Sequence, residues 1–117
     1  MIYIGSLGGL ARMEALLTIT ELLRTALAHG AVGFTFRSGL HPVIYSDKGV
    51  QTYDSQASSS EDIEEVVRHL ATSREMRHFR ETGVVHFRCI FETVSLIGGA
   101  RRDGEEVRLE LRRMAAS

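Results

Sequence analysis

The chain has no tryptophan, one proline, one cysteine and one lysine in 117 residues. These scarcities are informative. With Cys89 alone there is no internal disulfide, and the chain suits a reducing cytoplasm. No apolar run approaches the ~20 residues needed to span a bilayer. A formal net charge of −1 lacks the basic footprint of a nucleic-acid or acidic-membrane binder. The single lysine rules out a phosphate-binding loop, which needs Gly-x-x-x-x-Gly-Lys-Ser/Thr so that backbone N–H groups cradle phosphates and the lysine neutralises them. Lys48 follows Asp47 in a tight-turn sequence, and Gly5, Gly8 and Gly9 form no such motif either.

What is present is ordinary for one globular domain: 44% hydrophobic and 25% charged residues. A chain of this length buries roughly 65% of its unfolded surface, enough for an independent fold. Thirteen arginines accompany the one lysine, a skew that reads as coding bias. Residues 1–17 are expected to be an N-terminal extension and 18–114 a single domain. The opening MIYIGSLGGLAR lacks a basic leader and a cleavage site, and Met13 is an alternative start to Met1.

Periodicity then sets the elements. Ile19, Leu22, Leu23, Ala26 and Leu27 make a helical stripe, with Thr18 and Glu21 as a capping box and Gly30 as the stop. From Ala31 to Arg37 the period changes, with Val32, Phe34 and Phe36 alternating as in a half-buried strand. Pro42 marks the entry to a strand at Val43–Tyr45. Asp47-Lys48-Gly49 turns into another at Val50–Tyr53, and Asp54–Ser60 reads as a solvated loop. Ile63, Val66, Val67 and Leu70 form a second helical stripe. Thr72 and Glu75 cap a third helix that buries Met76 and Phe79 and stops at Gly83.

The rest is strand. Val85, Phe87, Cys89 and Phe91 alternate with His86, Arg88, Ile90 and Glu92, and Val94 and Leu96 continue the pattern. Arg102-Asp103-Gly104-Glu105 is a hairpin turn before the alternation of Val107, Leu109 and Leu111. The expected class is α+β, in the order α-β-β-β-α-α-β-β-β, with an antiparallel sheet of about six strands and helices on one face.

The stretch LAHGAVGFTFRSGLHPVIYSDKG, with its Gly-Ala, Ser-Gly-Leu-x-Pro and Asp-x-Gly spacing, resembles the N-terminal domain of PilT-like pilus-retraction ATPases of the type II–IV secretion superfamily. Phe79, Glu81, Thr82 and Gly83 match that family's Phe-x-Glu-Thr-Gly, and the resemblance runs from about Thr18 to Met114. Where the family tends to read Ser-Asp-Leu-His-Leu after Gly-Ala, this chain has Val32, Gly33, Phe34, Thr35 and Phe36. The resemblance implies a PAS-like fold and a domain that packs against a neighbouring subunit's motor domain. The motor domain itself has no counterpart in these residues. The implied function is a non-catalytic interaction or regulatory module acting with a type IV pilus or secretion ATPase, or with itself, without cofactor, nucleic acid or membrane insertion. A PAS-like small-ligand sensor is the alternative.

Candidate sites are few. His86 and Cys89 are three apart in a strand and point to opposite faces, which separates them as metal ligands. His29, Ser38, His41 and Asp47 border the first hairpin, where turn and cap chemistry accounts for them. The guanidinium forks of Arg101, Arg102, Arg108, Arg112 and Arg113 on the last hairpin suit an acidic partner, although the interleaved Glu105, Glu106 and Glu110 suggest cross-strand pairing. The partner-binding candidates are Arg37, His41, Asp47, Arg101 and Arg102.

Overall fold

A computed structural model describes residues 18–53 and 57–114. The expected extension at 1–17 and the centre of the loop at 54–56 lie outside the described residues. A helix over 18–28 (α1) precedes β1 (Ala31–Arg37), β2 (Val43–Ser46) and β3 (Gly49–Thr52). Two helices follow, α2 (Ser60–Leu70) and α3 (Ser73–Thr82). Then come β4 (Val84–Phe91), β5 (Val94–Asp103) and β6 (Glu106–Arg113). The class is α+β in the expected order. The six strands form one antiparallel sheet ordered β3-β2-β1-β6-β5-β4, so the last strand in sequence lies between β1 and β5.

The helices begin and end where local chemistry dictates. Ser59 caps α2, its side chain accepting from the Asp62 N–H while the Asp62 carboxylate accepts from the Ser59 N–H, each at 3.1 Å. Thr72 and Glu75 do the same for α3 at 3.2 and 2.8 Å. Gly83 ends α3 in the left-handed region, φ 79°, where a side chain would be strained. At the other end of the order, α1 is helical at residue 18, and the residues before it lie outside the described ones.

The core lies between the helices and one face of the sheet. Leu22, Leu23, Ile63, Val66, Met76 and Phe79 from the helices meet Phe34, Phe36, Val85, Phe87, Leu96, Leu109 and Leu111 from the strands. Each such side chain contributes about 1.5–3 kcal/mol on leaving water. On this face the Phe87 ring covers Gly98, where a Cβ would come within 2.4 Å of it.

Two expectations are corrected. Glu92, read as an outward strand position, sits in the β4–β5 turn at φ 57°. The end of the loop read as solvated is partly built in. Ser58 is buried and exchanges backbone hydrogen bonds with the β1–β2 loop, Gly39 N–H to Ser58 carbonyl at 2.8 Å and Ser58 N–H to Leu40 carbonyl at 3.2 Å. Ser60 is the first residue of α2.

Candidate interaction surface

Alternation along each strand sends one set of side chains to the helices and the other to the bare face of the sheet. The register fixes which residues share each row of that bare face. Arg37 lies opposite Arg108 on β6, and Arg108 lies opposite Arg101 on β5. Three arginines therefore stand in line across three strands. On one side of this row lies Asp103 opposite Glu106. On the other lie Thr35, Glu110, Gly99 and His86, and beyond them Tyr45, Gly33, Arg112, Ile97 and Arg88.

This register overturns the expectation of cross-strand charge pairing. Like lies opposite like, Arg101 with Arg108 and Asp103 with Glu106, an arrangement that is destabilising in a sheet. The ion pair that does form runs along β6, Arg108 to Glu110 at 2.5 Å. Among the described residues, no carboxylate is within salt-bridge distance of Arg37, Arg88, Arg101 or Arg112. All four are exposed. The bare face also carries a shallow trough of about 500 Å³, floored by Gly33 and Gly99 and edged by Tyr45, Ile97, Glu110 and Arg112. Thr35 donates to the Tyr45 hydroxyl at 3.3 Å across its edge.

The five partner-binding candidates do not form one group. Arg37 and Arg101 share the arginine row. His41 is exposed in the loop after β1, at the Arg37 end of that strand. Asp47 is in the β2–β3 turn, at the opposite end of β1, because Ser46 lies across from Ala31. Seven residues at ~3.3 Å each put about 20 Å between the two ends. Arg102 faces the helices, ion-paired with Glu64 and with its guanidinium 5.2 Å from the centre of the Phe79 ring. The same geometry separates the first-hairpin residues. His29 and Asp47 are at one end, Ser38 and His41 at the other. His29 Nδ1 lies 2.7 Å from the Thr25 carbonyl, and Ser38 Oγ accepts from the Val107 N–H at 2.7 Å. Both act as caps and ties.

Sequence reasoning missed Arg88 and the Tyr45–Ile97 trough as parts of this face. The alternation of β4 already carried the signal for Arg88, which shares its parity with the exposed His86. Cys89 has the other parity and points toward the helices, its thiol pushed up by burial and by the nearby Glu75. Arg24 is held above its ordinary value by a hydrogen bond to Glu92, 2.6 Å from its Nε.

A second concavity, an open groove of about 410 Å³, lies between α1 and the β2–β3 hairpin. Leu22, Ala26 and Ile44 line it together with His29, Lys48 and Tyr53. Among the described residues no helix is long and apolar enough to cross a membrane.

No protein-family model matches the chain, and no curated protein matches it. Solved structures do. The pilus retraction motor PilT, solved with bound ADP, superposes with a TM-score of 0.72 at 17% identity over 85% of this chain and 29% of its own. The ATPase DotB of Legionella pneumophila superposes with a TM-score of 0.71 at 10% identity, over 87% of this chain and 30% of its own. The chain thus spans under a third of the length of either neighbour. At the level of fold, the resemblance drawn from the sequence holds: the chain has the architecture of the N-terminal domain of such ATPases, and the match does not extend to a motor domain.

Proposed function

We propose that the chain is a non-catalytic interaction or regulatory module that acts in the cytoplasm with a type IV pilus or secretion ATPase, and that the bare sheet face is its contact surface. The observation that carries this reading is the row Arg37–Arg108–Arg101, a line of exposed like charges in a fold shared with part of PilT and DotB. Arginine beside tyrosine and isoleucine suits an interface, since its planar fork pairs carboxylates bidentately and packs on apolar neighbours. Arg101 and Arg37 belong to this surface, and His41 borders it. Asp47 and Arg102 do not.

The test is binding of the purified chain to each purified pilus or secretion ATPase of its own cell, measured by biolayer interferometry. Wild type is expected to bind one of them. Joint replacement of Arg37, Arg101 and Arg108 by Ala is expected to weaken that binding by about tenfold or more, since desolvated interface arginines are frequent hot spots. Binding to none of these ATPases, or binding unchanged in the triple variant, overturns the reading.

The α1–β2 groove favours a second reading, a small-ligand sensor, because it joins an apolar floor to a polar rim at a volume typical of ligand sites. A molecule that copurifies with the chain in native mass spectrometry, and is lost in Ala26→Trp, would support it.

A further inference from the structure

The charges of the bare face are ordered as well as clustered. Along β6 the outward residues are Glu106, Arg108, Glu110 and Arg112, and reading this series backwards exchanges every sign. A two-fold axis lying in the plane of the face and crossing β6 at Leu109 would place Arg108 against Glu110 of a second copy and Glu106 against Arg112, each pair twice. The flanking columns fit the same operation. Arg101 would lie over Gly99 of the second copy and Arg37 over Thr35, so that these arginines enter the trough beside Glu110.

We infer that two copies of this chain pack bare face to bare face about that axis, as an isologous dimer. The inference deepens the interaction reading of this face and rests on it. It also gives the like-charge rows a partner: the positive row of one copy meets the row holding Glu110, and the acidic row meets the row holding Arg112. Strands ~4.8 Å apart and about 20 Å long give a face of roughly 500 Å² per copy, below the usual ~800 Å². The dimer is therefore weak.

Its test is sedimentation of the purified chain from about 10 µM to 1 mM, the range in which small interfaces associate. A reversible monomer–dimer equilibrium is expected, weakening as salt rises. Arg108→Glu and Glu110→Arg should each weaken dimerisation about tenfold or more, because each sets like charges face to face. Mixing the two single variants should restore association as a heterodimer, and the double exchange, which preserves the sign-reversing order, should restore the homodimer. Circular dichroism checks that each variant is folded, and the double exchange keeps the test decisive if one single variant is not. A monomer throughout the range, or a dimer indifferent to both single exchanges, overturns the inference. A second copy and the ATPase would compete for this face, so the ATPase-binding test is read with the chain below about 10 µM, where the face is free, and the two outcomes stay separable.

Discussion

At the scale of single residues, the bare and covered faces make opposite demands. On the covered face Gly98 is required because the Phe87 ring occupies the space of its missing side chain. Gly98→Ala is expected to lower stability by about 1–3 kcal/mol, the usual cost of overpacking, measured as a lower urea midpoint. Cys89 supplies a pH prediction. Its folded pKa lies above the ordinary 9.0. The thiol's contribution is therefore complete below the unfolded value and is lost as pH rises through 9 toward the folded one. The stability difference between wild type and Cys89→Val should stay constant from pH 7 to 8.5 and then move against wild type. A flat difference up to pH 10.5 would refute it. The covered residues were legible in the sequence because burial follows strand parity, as at Val107, Leu109 and Leu111. The arginine row was not. Parity says which face Arg101 and Arg108 take, but only the register says that they stand opposite each other, and register depends on where the turn falls. The sequence reading spread that turn over Arg102 to Glu105, whereas only Gly104 and Glu105 form it, with Arg102 and Asp103 still paired in β5.

Among the elements, the helices owe their limits to caps. Thr72→Ala removes the acceptor for the Glu75 N–H at the start of α3 and is expected to cost about 1 kcal/mol, read from chemical denaturation with an unchanged slope. An effect under a few tenths would show that tertiary packing alone fixes this terminus. Every helix and strand had a local signature except the β4–β5 turn, where Glu92-Thr93 carries no Gly or Asn to announce a left-handed residue. The Ser59–Asp62 box was likewise hidden in a serine-rich run that composition alone assigns to a loop.

For the whole molecule, the sheet order sets a gradient of local stability. All four residues of β3 are exposed and lie at one edge, while β6 is paired on both sides. Native-state hydrogen exchange should therefore be slowest at β6 and the adjoining amides of β1 and β5, and fastest in β3. Protection in β3 equal to that in β6 would contradict the gradient. The sheet consists of two three-strand groups, β1 to β3 and β4 to β6, each built by short chain reversals. Their joining through β1 and β6 could not be read, because no local pattern encodes a pairing between residues 33–37 and 108–112.

That central position of β6 bears on synthesis. On the ribosome, α1 to β3 and α2 to β5 emerge first as two half-sheets, with the edges of β1 and β5 bare. Neither half has a neighbour to seat against until Glu106–Arg113 leaves the exit tunnel and slots between them. The nascent domain therefore stays as two incomplete pieces until β6 is available and becomes one body only when that strand is seated. A delay after β5 has left the tunnel and before β6 has followed it would prolong the interval in which those open edges can pair with the wrong strand.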